Sequence, residues 1–402
     1  MSLEFATRPR RATRTVTAEP PAIVFGGDVS GLAVIRSMGR GGVPVFSAGT
    51  ATTHLTRSRW YRPVPGEPLE ETTDRRRLAE YLRGLPFSEA VLIPASDDWA
   101  LALASLPDDV TSSYPATVAP RPVVRTLVDK ERFAAAAERH DVPTPRTISV
   151  TGVESLDDID DADLPRFFLK PVNSQRFARR FGVKALRLDG RHDAAELVRR
   201  AVREDCEVVL QEFIPGEATA HVFLDGYVDR DGAMRALLAR RRLRMYPADF
   251  GNSTLSVTIP MEEVSPALES LRRLFDGIGF TGFFDAEFKQ DARDGRFKIF
   301  EVNARPWWQL ELAEAAGLGV CSMAYRDALG LPLPDPPDPE VGQTWVHPLP
   351  DLKAWWKDRL KGGIPIRTWL GGANAVFAPD DPMPGLEQAG RALLSRVRSR
   401  RG

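Results

Sequence analysis

FDAEFKQDARDGRFKIFEVNARPW, residues 284–307, is made of two short apolar–polar alternations joined by a charged turn. In a strand, side chains two apart share a face. Asp285, Glu287 and Lys289 therefore point one way, and Phe284, Ala286 and Phe288 the other. In the second run Phe297, Ile299, Glu301 and Asn303 share a face, opposite Lys298, Phe300 and Val302. Asp294 and Gly295 supply the turn chemistry. With an odd-numbered loop over 291–295, Glu287 falls on the face of Glu301 and diagonal to it, with Cβ atoms roughly 7–8 Å apart. Two carboxylates so close repel, and a hard cation such as Mg2+, which favours one or two carboxylates, removes the repulsion. A solvated amphipathic hairpin is the bland alternative. Glu301, Asn303 and Arg305, in an E-x-N-x-R pattern ending a strongly apolar strand, favour a metal site beside an anion clamp.

The rest of the 402-residue chain frames that hairpin. Its length predicts two or three subdomains with a substantial core. Hydrophobic content of 43% and charged content of 27% are ordinary for a globular protein. A formal net charge of −1 gives no general attraction to nucleic acid or to a membrane surface. Cys206 and Cys321 lie far apart and form no CxxC, which fits buried, reduced thiols. The five histidines show no zinc-ligand spacing. With no membrane-length apolar run and no signal-type segment, the expected location is the cytoplasm. Residues 1–20, with Arg8, Arg10, Arg11 and Arg14, read as a disordered basic tail.

Upstream, 22–25 is a short apolar strand entering the turn Gly26-Gly27-Asp28-Val29-Ser30-Gly31. A helix follows through Leu32, Ile35 and Met38, then a strand over 43–46. This order predicts a parallel α/β unit. A dinucleotide site is poorly supported, since the glycines do not follow GxGxxG and no acid ends the second strand. A third strand over 91–94 leads to Asp97, which fits either a contact to a substrate amine or a plain helix N-cap. Asp129 caps a helix from Lys130 that stops near Pro143, a subdomain boundary. Strands follow at 167–170, 207–210, 220–224, 233–240 and 253–259, then a helix over 266–277. Prolines cluster over 332–339, and the tryptophans beyond them read as packing residues.

Lys130 in VDKERF, Lys170 in FFLKPV, LQEFIPGE at 210–217, ARRRLRMYPADFGNSTL at 239–255 and the Glu287/Glu301/Asn303/Arg305 hairpin form an ordered set. Over about 22–330 this set resembles the ATP-grasp superfamily, most closely its carboxylate–amine ligases, with D-aspartate ligase-like enzymes among plausible relatives. The resemblance implies a mixed α/β and α+β architecture. A parallel α/β subdomain would cover 21–125, the ATP-grasp domain of two α+β subdomains 126–330, and a proline-rich, Trp-containing extension 331–402.

By the same resemblance, Lys130 and Lys170 contact ATP phosphates, Gln211 faces the adenine amino group, and the backbone of Glu212, Phe213 and Ile214 reads the adenine edge. Phe213 and Ile214 wall the slot, and Glu217 reaches the ribose. Gln211 stands where many relatives carry an acid. The loop NSQRFARRFGV after Lys170 has one glycine and three arginines, Arg176, Arg179 and Arg180, where relatives carry a glycine- and serine-rich loop. Those arginines suit phosphate or a substrate carboxylate, and equally a solvated loop. Arg242 and Arg244 share a strand face and match the basic residues delivered to the γ-phosphate, and 251–254 would be a turn near the acceptor site.

The implied reaction is ATP-dependent amide formation through an acyl phosphate. Glu287, Glu301 and Asn303 would hold Mg2+, with Arg305, Arg244 and Arg242 stabilising the reacting groups. Asp97, Glu311 or a phosphate oxygen would take the amine proton. Expected partners are a small carboxylate and an amine, with a homodimer as the assembly common among similar ligases. Two other readings stay open: a carboxylase working through carboxyphosphate, and a nucleotide-binding module without turnover.

Overall fold

The computed structural model describes residues 19–171, 177, 180–183, 185–247, 251–336, 338–357, 369 and 371–399. Most of the expected basic tail, and Arg176 and Arg179, lie outside them.

β1 (Ala22–Phe25) is buried at all four positions and sits between β2 (Val45–Ala48) and β3 (Val91–Pro94), both parallel to it. A strand buried on both faces reads as a continuous apolar run, hence AIVF. β2 begins two residues later than the sequence pattern suggests. Pro44 has no N–H to give the ladder and contributes only its carbonyl, which accepts from Ala22. The helix Val29–Arg40 follows the glycine turn, capped by Asp28, whose side chain accepts from the Ser30 N–H at 2.9 Å. At Gly27 a Cβ would lie 2.4 Å from the Thr50 carbonyl oxygen, so only glycine lets the two backbones approach.

Two largely antiparallel sheets follow. The smaller orders as β4 (Thr147–Ser149), β7 (Val208–Glu212), β5 (Phe167–Pro171) and β6 (Leu186–Arg187), with the helix Arg191–Arg203 laying Ala194, Ala195, Val198 and Ala201 against it. The larger runs β12 (Phe297–Asn303), β11 (Gly282–Gln290), β8 (His221–Val228), β9 (Met234–Tyr246), β10 (Asn252–Thr258), β13 (Thr344–Val346) and β14 (Ala373–Asn374). β10 takes in most of 251–254, which were expected to turn: Asn252 and Ser253 pair with Tyr246 and Met245. The helix Ser265–Ile278 stacks Leu271, Leu274 and Phe275 on the back of this sheet and ends at Gly279 in the left-handed region.

The C-terminal segment carries the large sheet two strands further, β13 antiparallel to β10 and β14 parallel to β13. Trp345 is fully buried there, whereas Trp356 is 73% exposed and packs against little. One apolar core joins Ile35 and Ile93 of the N-terminal layer to Tyr227, Phe283, Trp307, Leu312 and Trp345 around the large sheet. The small sheet has its own core of Leu156, Phe167, Leu169, Val198 and Leu210. Cys206 and Cys321 are buried free thiols. No helix among the described residues is long and apolar enough to cross a membrane.

Candidate active site

The hairpin forms as the alternation predicts, but its register differs. Asp291 N–H donates to the Arg296 carbonyl, so the loop proper holds the four residues 292–295. Across the ladder Lys289 pairs with Lys298 and Phe288 with Ile299, and then Phe300 is skipped. Glu287 stands directly opposite Glu301, not diagonal to it, and Asp285 opposite Asn303. The bulge at Phe300 also breaks the single face assigned to the second strand: Ile299 turns into the core while Glu301 faces the cleft. Directly opposite residues bring their Cβ atoms to about 4.5–5.5 Å, closer than the diagonal pairing expected from sequence.

The two carboxylates differ in environment. Glu287 accepts from His221 Nδ1 at 2.8 Å and from Arg242 Nη2 at 3.0 Å, both through Oε1. Burial pushes its carboxyl up, but Arg242 and then His221 outweigh burial and hold it well below the usual range. Glu301 has neither hydrogen bond nor ion pair among the described residues and opens to solvent inside the cleft. The crowded cleft walls raise its carboxyl, Lys170 opposes them, and Glu287, Asp285 and Asp97 add to the rise. Among the described residues a carboxylate without hydrogen bonds stands opposite one bonded only through Oε1, a pairing that suits a hard cation. The geometry fits Mg2+ at Glu301 and Glu287. Asn303 does not fit as placed, because its Nδ2 donates to Asp285 at 3.0 Å and its Oδ1 accepts from Arg305 Nη2 at 3.0 Å.

A chain of charged contacts runs from this site into the sheet. Arg240, 1% exposed, donates to Asp225 at 2.5 Å and to Asp285 at 2.8 Å, and its guanidinium lies 3.7 Å from the centroid of the Phe223 ring. Asp285 then orients Asn303, Asn303 takes Arg305, and Arg305 reaches Asp97 through Nε at 2.8 Å and Nη2 at 3.3 Å. Burial raises the Asp225 carboxyl, against the pull of Arg240. Sequence reading passed over His221 and Asp225, and included Arg240 in the basic segment without giving it a role. The available signal was period two, which sets them on the same sheet face as Glu287 and Arg242.

Lys130, Lys170, Gln211, Glu301, Asn303, Asp97 and Phe300 line one cleft of about 190 Å3. Lys130 begins the helix Lys130–Arg139 and donates to the Pro171 carbonyl. Its ammonium is brought down to about 7, first by burial and then by the charge of Lys170, against Glu301. Lys170 donates to Gln211 Oε1 at 3.2 Å, and Gln211 Nε2 donates to Thr147 at 3.1 Å, so both ends of that amide are engaged. The Glu212 and Phe213 N–H groups serve the Arg146 and Arg166 carbonyls, and Ile214 is buried. The Glu212 side chain ties the small sheet to the hairpin loop through Arg293 at 2.6 Å. Phe213 is covered by Arg187 and Lys289, with their charges 4.5 and 5.0 Å from its centroid, and Glu217 is exposed.

Three expected residues are committed elsewhere. Arg244 forms a two-point pair with buried Asp351, both contacts at 2.9 Å, and Asp351 also takes Thr254 and Trp369. Arg180 meets Glu204 at 3.3 Å on the surface. Glu311, a candidate proton acceptor, is bound by Arg36 at 3.5 Å and by Arg40 at 2.9 Å.

No family model matches the chain. The D-aspartate ligase of Enterococcus faecium (strain Aus0004) is 26% identical over 247 residues, which cover 59% of this chain and 58% of that one, so the match spans little more than half of that relative. Among solved structures, the biotin carboxylase domain of Hydrogenobacter thermophilus 2-oxoglutarate carboxylase, with MgADP, ADP and bicarbonate, superposes with TM-score 0.62 at 15% identity, covering 80% of this chain and 73% of that one. An ATP complex of carboxyaminoimidazole ribonucleotide synthase from Aspergillus clavatus gives TM-score 0.60 at 14% identity, with 81% of each chain covered.

Proposed function

As this chain has the fold of ATP-grasp enzymes, we propose that it is an ATP-dependent carboxylate–amine ligase, forming an amide through an acyl phosphate and releasing ADP and phosphate. The observation that carries this reading is the Glu287–Glu301 pair, with Glu301 unpartnered among the described residues and sharing a cleft with Lys130 and Lys170. ATP would lie between the small sheet and the large one, with Lys130 and Lys170 neutralising phosphate oxygens. Bound Mg2+ would supply charge neutralisation between phosphate groups, and Glu301 and Glu287 are the residues to hold it.

The Arg305 guanidinium presents two parallel donors, the geometry that orients a carboxylate towards phosphorus. Arg242, fixed by Glu287 and by Ser253 at 2.8 Å, lies on the same strand face and supports the charge that builds up in transfer. Arg244 is given no catalytic part, since Asp351 holds its fork. Similarity to D-aspartate ligase favours an amino acid as the acid partner.

ADP release with Mg-ATP, measured over pairs of acids and amines with bicarbonate as a separate arm, tests the reading. Turnover that needs both an acid and an amine supports it. Bicarbonate-dependent turnover without an amine supports a carboxylase instead, and Mg-dependent ATP binding with silence across the panel supports a non-catalytic module.

A further inference from the structure

The donor edge of Arg305 is already filled by a carboxylate. Its Nε and Nη2 both point to Asp97, at 2.8 and 3.3 Å, the two-point arrangement by which arginine holds a carboxylic acid. Asp97 comes from the N-terminal layer, 208 residues away, immediately after β3. Capping does not require it there, because Ser96 caps that helix by accepting from the Trp99 N–H. Its side chain is 43% exposed and has no other partner among the described residues, while the Arg305 side chain is 17% exposed. Asn303 and the Pro306 carbonyl fix the guanidinium from its other sides. The result is a held arginine fork closed by a loosely held acid at the wall of the cleft.

We propose that Asp97 stands in for the carboxylate of the acid substrate at Arg305, so that the substrate enters by exchange, and that the displaced Asp97 then receives the ammonium of the amine substrate. This rests on the ligase reading for the identity of the two ligands. Exchange of one carboxylate for another leaves the charge at Arg305 unchanged, so the guanidinium is never left bare. Displaced Asp97 is different: it loses the one cation it is paired with among the described residues, while Asp98 and Glu301, whose carboxyls it influences electrostatically, remain nearby as acids. With Lys130 and Lys170 of the same cleft taken up by phosphate in the ligase reading, the ammonium of the co-substrate is the cation left to fill that position. The two ligands would therefore bind in order, acid first, with the amine site present only after exchange.

The test uses the full chain loaded with MgADP and needs no turnover in its first arm. Formate, the smallest carboxylate, is titrated calorimetrically into wild type, Asp97→Asn, Asp98→Asn and Asp97→Asn/Arg305→Gln. If the fork is closed nine-tenths of the time, removing the competing charge tightens formate binding roughly tenfold in Asp97→Asn, with no change in Asp98→Asn and loss of binding in the double variant. Equal affinity in wild type and Asp97→Asn, or no formate binding to Asp97→Asn, overturns the proposal. In the second arm, with an acid and amine pair that turns over, Asp97→Asn lowers KM for the acid and raises KM for the amine. Movement of both constants in the same direction overturns the amine role. A tightened formate affinity with no turnover for any pair would leave the exchange at Arg305 standing and sink the ligase reading alone.

Discussion

Glu287 and Glu301 face each other on one rung of the β11–β12 ladder, yet Glu287 is neutralised by Arg242 and His221 while Glu301 has no partner among the described residues. This asymmetry predicts opposite stability effects for two substitutions that should both abolish activity. Glu301→Gln removes an unpaired charge, so the melting temperature should hold or rise while ADP release falls by ~10²-fold or more. Glu287→Gln breaks a buried pair and should cost about 3 kcal/mol in urea unfolding as well as activity. Equal destabilisation by the two would contradict the asymmetry.

Arg240 is sandwiched between Asp225 and Asp285 under the Phe223 ring. Arg240→Met would leave two buried acids facing each other, a loss of about 3–5 kcal/mol. Adding Asp225→Asn should restore part of it, and a chemical-denaturation double-mutant cycle reads the coupling. If the double variant were as unstable as the sum of the singles, the two residues would not act as a pair.

His347 is buried beside Trp345 and Trp308, and burial lowers its imidazole from 6.5 to about 4, with His54 adding to the effect. The unfolded chain therefore binds this proton more readily than the folded one. The contribution of His347 is fully present above pH 6.5 and is lost as the pH falls from 6.5 towards 4. Titration through the whole window is worth roughly 3 kcal/mol, and His347→Phe should flatten that part of the stability-against-pH curve. An unchanged slope in the variant would assign acid sensitivity to other groups.

Asp381 is 1% exposed and gathers Arg36, Ser58 and the Arg59 N–H, and Arg36 also donates to the Val376 and Asp381 carbonyls. Asp381→Ala takes from the fully buried Arg36 guanidinium its nearest carboxylate and leaves it Glu311 at 3.5 Å, so a loss of about 3 kcal/mol is expected, with faster proteolysis in the segment around 371–385. Protease resistance equal to wild type would show that the apolar contacts of Ala375 and Val376 hold the segment alone.

Much of the architecture was legible because alternation and capping are local. β1, β3, the Asp129-capped helix and both strands of the hairpin follow from which side chains sit two or three residues apart. Of the residues singled out in sequence, Lys130, Lys170, Gln211, Glu301, Asn303 and Asp97 line one cleft. Register was not legible: an even loop and a bulge at Phe300 compensate for each other, and neither leaves a mark in the composition of the strand. Partners remote in sequence were equally hidden. That Arg244 would meet Asp351, or Arg305 meet Asp97, depends on how three layers stack, and an arginine aimed at a phosphate reads the same as one aimed at an aspartate.

The shared core has a mechanical corollary. With Ile35, Phe283, Trp307 and Trp345 in one apolar mass, the N-terminal layer and the large sheet cannot separate without exposing that mass to water. The small sheet carries its own core and meets the hairpin through polar ties such as Arg293 to Glu212. The junction between the small sheet and the hairpin is therefore the cheaper of the two to open, and it has Lys170 on one side and Glu301 on the other.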